Sequence, residues 1–185
     1  MSRKSIGFLV LVLIAVAGGV VVGTLIRDRM DHRRMVEMNQ RAPRTLLGLG
    51  DDLPDVTLTV AGGYTETCAE LLSERGSIVL FLDLECPPCV VMCQRWQRAL
   101  DDGEVDDTQV FGITNHPQDA VAAFLSENNI TFPVHQDAAG EFRKQYEVDR
   151  FPLEVVVGAS GRVRSLSYDS VSPVDFNDLA QRLAD

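Results

Sequence analysis

The chain opens with an apolar run and then changes period. From Ser5 to Ile26, "SIGFLVLVLIAVAGGVVVGTLI", no position carries a charge. Further on, "SIVLFLDL" at 77–84 is almost continuously apolar and rich in β-formers, the pattern of a strand buried on both faces. "CVVMCQRWQRAL" follows at helical spacing, with Val90, Val91, Cys93, Trp96, Ala99 and Leu100 as its apolar positions. "QVFGIT", 109–114, predicts a second buried strand, and "PQDAVAAFLSEN", 117–128, a helix started by Pro117, with Val121, Phe124 and Leu125 on one face. A short helix is expected over 138–148 and a strand over "LEVVVG", 153–158. The turn "ASGR" joins that strand to "VRSLSY", 163–168, as a hairpin. "SPVDFNDLAQRLA", 172–184, reads as a closing helix with Ser172 as N-cap and Pro173 at its first position. "LPDVTLTV", 53–60, adds a strand ahead of all these. The order strand–helix–strand–helix, hairpin, helix predicts an α/β fold: a central mixed β-sheet flanked by helices.

The first run is of a different kind. Its 22 uncharged residues make about 33 Å of helix, enough for a hydrocarbon core of about 30 Å. A transmembrane signal anchor is therefore expected over 5–26, after a short tail, 1–4. The alternative is a cleaved signal peptide, because Ala15-Val16-Ala17 resembles a cleavage site; the apolar run, however, continues past it. Residues 27–46 form a polar, basic juxtamembrane linker, with Arg27, Arg29, Arg33 and Arg34 close to the span. The globular domain occupies 47–185. Counted by the positive-inside rule alone, these arginines put the domain in the cytoplasm.

Charge divides at the same place. Residues 1–44 carry a net +5 and residues 45–185 a net −15. A domain this acidic excludes nucleic acid as a partner, since phosphates demand cations. With 45% hydrophobic residues it has ample material for a core.

The candidate chemistry lies in "LECPPCVVMCQRW", 84–96, which holds three of the four cysteines. Cys86-Pro87-Pro88-Cys89 falls at a strand-to-helix turn. The helix N-terminus offers unpaired N–H groups and a partial positive charge that favour a thiolate at Cys86, and the thiolate is the nucleophile of disulfide exchange. Pro87 and Pro88 fix φ and stiffen the turn. Cys89, one turn on, is then the resolving thiol. Glu85 is adjacent; its charge opposes the thiolate, although it also offers a proton acceptor. Cys93 lies one helical turn after Cys89. It is read as a small buried hydrophobe, with a second bridge to Cys68 or a backup thiol as alternatives. Cys68 sits at an expected strand-to-helix junction. Two rival classes remain: a four-sulfur metal cage of Cys68, Cys86, Cys89 and Cys93 for zinc or copper, disfavoured because a second CxxC is missing, and a binding module without turnover. The redox reading calls for no cofactor and no metal.

At these residues the chain resembles the thioredoxin-like superfamily, and within it the membrane-anchored TlpA/ResA/CcmG type of thiol-disulfide oxidoreductase, related to the AhpC/TSA redoxins. "LPDVTL", "GSIVLFLDLECPPC", "FGIT", "ITFPVHQD", "YEVDRFPLEVVV" and "GASGRV" carry the likeness, across residues 48 to 185. The resemblance implies a cis-proline against the cysteine pair, at Pro152 after Phe151. It implies protein dithiols or disulfides as substrates, among them apocytochrome c or a metalloenzyme undergoing maturation, and an upstream membrane redox partner. It also places the domain on the periplasmic side of the inner membrane, against the positive-inside count. The chain departs from the pattern as well. Glu85 stands where a tryptophan is usual, Met92 where an acid assists proton transfer, Gln94 where a proline kinks the helix, Leu80 where thioredoxins keep a buried acid, and Leu153 where threonine follows the cis-proline.

Overall fold

Strand β3, Ser77–Phe81, is buried at all five positions, which is why its sequence shows no alternation. It pairs in parallel with β4, Val110–Thr114, on one side and antiparallel with β6, Leu153–Val157, on the other. In this computed structural model the described residues are 45–60, 62–168 and 170–185. The tail 1–4, the expected span 5–26 and the linker as far as residue 44 lie outside them. Among the described residues no helix is long and apolar enough to cross a membrane.

Among the described residues the sheet has seven strands, in the order β2-β1-β5-β4-β3-β6-β7. Three of them were not read, or were read too long, from sequence. β1 is only Thr57–Thr59, shorter than the expected 53–60, and it pairs antiparallel with β2, Thr65–Thr67. β5, Val134–Gln136, pairs in parallel with β4. β2 and β5 have three residues each, too few for an alternation to register. β7, Val163–Ser167, closes the other edge as the expected hairpin partner of β6.

Alternate side chains of β3 enter two separate cores. Ile78 and Leu80, together with Leu82 just past the strand, join the layer formed with α2 (Pro87–Asp101), α3 (Gln118–Asn128) and α5 (Phe176–Ala184), which contributes Cys89, Met92, Cys93, Trp96, Val121, Phe124, Leu179 and Leu183. Val79 and Phe81 face the opposite layer, with Leu47, Leu53, Val56, Cys68 and Phe142. Cys68 opens the one-turn helix α1, Cys68–Leu71, and Phe142 lies in α4, Glu141–Tyr146. The period-2 geometry of a strand makes this division of the β3 side chains, and the helices packed on the two faces carry the cysteines apart.

Helix ends follow local chemistry. Thr67 and Glu70 form a reciprocal capping box at α1, each side chain accepting from the other's backbone N–H. α3 begins after Pro117, which is its N-cap, and ends at Asn129 in the left-handed conformation. α5 starts later than expected. Its N-cap is Asp175, whose carboxylate accepts from the N–H groups of Asn177 and Asp178, so Ser172 and Pro173 precede the helix. An aspartate that reaches two backbone donors displaces the earlier serine. α4 is likewise trimmed to six residues of the expected 138–148, since Gly140 and Glu147 take positive φ at its two ends.

Candidate active site

The turn between β3 and α2 sits at the carboxyl end of the central strand. Cys86 is the N-cap of α2, and Pro87 and Pro88 fill the first two helical positions. Proline suits these positions because their N–H groups have no intrahelical acceptor. Two donors are thereby removed, and the first free N–H of the helix belongs to Cys89. It donates to the Cys86 carbonyl at 2.9 Å, while Val90 N–H reaches the same oxygen at 3.4 Å. The helix terminus thus concentrates on the Cys86–Cys89 pair.

The two sulfurs are unequal. Cys86 is half-buried and Cys89 fully buried. A hydrogen bond from the Cys89 thiol is the largest influence on Cys86 and lowers its pKa; the Cys89 peptide N–H acts in the same direction, while burial and the charge of Asp83 oppose it. Cys89 moves upward, first because it is the donor in that bond and then because it is buried. One thiol is thus poised to ionise and the other holds its proton.

Phe151, which precedes Pro152, meets Cys86 from the strand side. Their peptide is cis, as the resemblance implies, and the Cys86 thiol lies 3.8 Å from the Phe151 carbonyl oxygen as its donor. Pro152 is buried and Phe151 half-buried. The Arg143 guanidinium stacks over the Phe151 ring, 5.5 Å from its centroid.

The remaining cysteines separate. Cys93 is fully buried beside Cys89 in the α2 layer, and Cys68 is fully buried on the other face of the sheet. Burial pushes each thiol up to about 12. The sheet therefore stands between Cys68 and Cys93, and neither a bridge between them nor a four-sulfur cage is assembled. Among the described residues no group of three or more His, Cys, Asp or Glu side chains is placed to hold a metal ion. The positions where the family pattern has acids are apolar and closed: Leu80 and Met92 are fully buried.

Glu85 was the acid expected beside the thiol. It is exposed, and its part here is the backbone N–H that donates to Asp83 Oδ1 at 3.0 Å. The carboxylate whose charge reaches Cys86 is Asp83. The Asp83 carbonyl also accepts from Cys86 N–H at 3.1 Å, and Asp83 Oδ1 lies 3.3 Å from His116 Nε2. Sequence reading assigned neither residue to the cysteine site. The available signal was an aspartate interrupting the apolar run "LFLDLEC" and a histidine directly after the next parallel strand, since adjacent parallel strands end side by side.

A model of the AhpC/TSA family matches residues 49–166. Sporulation thiol-disulfide oxidoreductase A of Bacillus subtilis (strain 168) is 25% identical over 91 residues, which are 47% of this chain and 55% of that protein. The match therefore spans about half of the curated relative's length. Among solved structures, a Bacteroides thetaiotaomicron protein assigned as a disulfide isomerase superposes with a TM-score of 0.62 at 19% identity, covering 77% of this chain and 91% of the other. A secreted disulfide oxidoreductase of Mycobacterium tuberculosis, homologous to DsbE of E. coli, gives 0.53 at 22% identity, covering 70% and 95%. At these identities the structures establish the thioredoxin-like fold, and the matched residues contain the whole Cys86–Cys89 turn and Pro152. The chain belongs to the AhpC/TSA family, in its thioredoxin-like fold.

Proposed function

We propose that this protein is a membrane-tethered thiol-disulfide oxidoreductase that exchanges a Cys86–Cys89 disulfide with thiols of extracytoplasmic proteins. The observation that carries the reading is the unequal pair at the start of α2. Cys86 is half-exposed and acidified, Cys89 is buried and protonated, and the Phe151 carbonyl ahead of cis-Pro152 closes the site beside them.

In the reducing direction the Cys86 thiolate attacks one sulfur of a substrate disulfide. A mixed disulfide forms and the other substrate sulfur leaves as a thiolate that takes up a proton. Cys89 then gives up its proton and attacks the Cys86 sulfur, so the second substrate thiolate departs. Two thiols of this chain become one disulfide, and one substrate disulfide becomes two thiols. Run backwards, the same steps oxidise a substrate dithiol. A membrane redox partner resets the pair by the same exchange.

The uncharged run at 5–26 and the need for an oxidising compartment support a single-pass anchor with the domain on the periplasmic side. That one structural neighbour is a secreted disulfide oxidoreductase supports the same placement. Apocytochrome c or a metalloenzyme undergoing maturation is the proposed substrate class.

The test is trapping. With a disulfide-bonded protein substrate, Cys89→Ser accumulates a mixed disulfide through Cys86, stable to gel electrophoresis without reductant, and Cys86→Ser accumulates none. The reverse pattern overturns the roles, and the absence of an adduct in both variants overturns the function. Protease added to cells with a permeabilised outer layer removes the domain and leaves a membrane stub if the topology is right; a protected domain overturns it.

A further inference from the structure

The cations of this acidic domain are mostly taken. Arg75, Arg95, Arg162 and Arg182 each pair with a carboxylate, and the Lys144 ammonium donates to the Ala139 carbonyl. Arg143 is different. It is exposed in the last turn of α4. Among the described residues its guanidinium forms no ion pair, and its contact is the Phe151 ring, 5.5 Å from the guanidinium carbon to the centroid. A helical arginine often finds an acid four residues on. Here that residue is Glu147, which leaves the helix as its C-cap at φ 48°, and the two do not pair.

Phe151 joins this cation to the nucleophile. Its carbonyl oxygen lies 3.8 Å from Cys86 Sγ, while its ring lies under Arg143. An apolar cleft opens beside them, lined by the buried Phe81, Phe142 and Val148 and by Arg143 and Phe151. Stacking on an aromatic ring holds a guanidinium in one plane and leaves the donors along its edge available.

We propose that Arg143 is a specificity-determining residue that binds a carboxylate lying next to the reacting cysteine of the substrate protein, so that the preferred substrate presents its disulfide in an acidic segment. The inference rests on the oxidoreductase reading, with Cys86 as the attacking thiol. Two carboxylate oxygens match two parallel guanidinium N–H groups, a fit that an ammonium or an amide does not reproduce. The rest of the domain works against such a ligand. Residues 45–185 carry a net −15, and Glu85 is exposed on the turn that leads into Cys86. An acidic segment is therefore repelled over most of the surface and attracted at Arg143, which fixes where it lies along the mouth of the site. Arg143 makes and breaks no bond. It acts on encounter and orientation, before Cys86 attacks.

The test uses the reduced full chain in mild detergent and three peptides that differ only at the residue next to their single cysteine, which is Glu, Gln or Lys. Each cysteine is carried as a mixed disulfide with 2-thiopyridine. The Cys86 thiolate attacks the peptide sulfur, a Cys86–peptide disulfide forms, and 2-thiopyridone leaves with a proton; its absorbance gives the rate. Each rate is divided by that of the same peptide with 2-mercaptoethanol, a neutral thiol, to remove the intrinsic reactivity of the disulfide. In the native chain the Glu peptide then reacts about 3-fold faster than the Lys peptide, the scale of one exposed charge pair, and the ratio falls toward one as salt is raised. Arg143→Gln abolishes the preference, Arg143→Glu inverts it, and Arg143→Lys keeps part of it. Arg98→Glu makes the same change in net charge at an exposed residue about 18 Å along α2 from Cys86, and leaves the ratio in place. Because each variant is judged by a ratio of two peptides, a smaller folded fraction does not imitate the result. One Glu-to-Lys ratio shared by the native chain, Arg143→Gln and Arg143→Glu overturns the proposal. So does an equal response to Arg98→Glu and Arg143→Glu, since the overall charge is then at work. Failure of the oxidoreductase reading looks different: the peptide stays on Cys86, unreleased by Cys89, and the substrate assignment falls with that reading whatever the ratio.

Discussion

The indole Nε1–H of Trp96 donates to Glu154 Oε2 across 2.9 Å, tying α2 to β6. The same oxygen pairs with the Arg95 guanidinium, and both side chains of that ion pair are nearly nine-tenths buried. Glu154 lies two residues after the cis-proline, and Trp96 two turns after Cys89. One buried carboxylate therefore fixes the distance between the helix that carries the thiols and the strand that carries Pro152. Trp96 also lies beneath the Arg95 guanidinium, 5.5 Å from its carbon to the ring centroid.

Breaking that junction is costly in proportion to what is left unpaired. Glu154→Gln retains an acceptor for the indole but removes the negative charge that pairs with the largely buried Arg95 guanidinium. It destabilises the domain by about 3 kcal/mol, read from urea unfolding. Trp96→Phe leaves the ion pair intact, vacates one ring's worth of volume and removes one hydrogen bond, for a smaller loss of about 1–3 kcal/mol. The order of the two losses is the checkable point; the reverse order shows that packing, not the carboxylate, holds the junction.

The difference in acidity among the four thiols predicts a sequence of modification. Cys86 lies below its ordinary value of 9.0, whereas burial holds Cys68 and Cys93 near 12. Brief treatment of the reduced protein with iodoacetamide near neutral pH labels Cys86 alone, as peptide mapping will show. Equal labelling of Cys86 and Cys93 overturns the assignment, because reactivity follows thiolate fraction and access.

Alkaline stability follows from the same burial. Cys68 and Cys93 titrate near 9.0 in the unfolded chain and near 12 in the folded one. Between those values the unfolded chain sheds protons that the native chain keeps. Stability is therefore full below pH 9 and declines as pH rises toward 12, by about 1.4 kcal/mol per pH unit for each thiol. The measurement uses the oxidised protein, in which Cys86 and Cys89 do not titrate, and reads the slope of unfolding free energy between pH 9 and 11. Cys93→Ala removes one thiol's share of that slope whatever it does to the absolute stability.

Gly76 precedes β3 at φ 84°, and a Cβ there would lie 2.6 Å from the Leu183 carbonyl and 2.9 Å from that of Val157. Gly76→Ala combines left-handed strain of about 1–2 kcal/mol with a backbone collision, and lowers stability by more than about 2 kcal/mol. Gly103, at φ 72° with nothing within 4 Å of the added carbon, isolates the strain alone. Its alanine variant costs only about 1–2 kcal/mol. Thermal or urea unfolding of the two variants side by side checks the difference.

What the sequence by itself determined is whatever rests on local pattern. The apolar run 77–84 is a strand buried on both faces, "CPPC" opens a helix, and Phe151-Pro152 precedes a strand that returns to the same place. Proline geometry, helix-end donors and side-chain period all act within a few residues, so they can be read along the chain. The place of Cys86 at the start of the helix was legible for the same reason, because the two prolines that open the helix follow it directly. The tertiary structure decided what depends on which face and which neighbour. β2 and β5 exist because β1 and β4 offer unpaired edges, and three residues hold no period of their own. Asp175 displaced Ser172 as a cap because its carboxylate reaches two donors at once. Cys68 and Cys93, both candidates for one bridge, were sent to opposite sides of the sheet because the helices that carry them, α1 and α2, pack on opposite faces. The acid near the nucleophile proved to be Asp83 rather than its nearer neighbour Glu85. Adjacency in sequence places Glu85 beside Cys86, but only the alignment of two parallel strand ends brings His116 to Asp83.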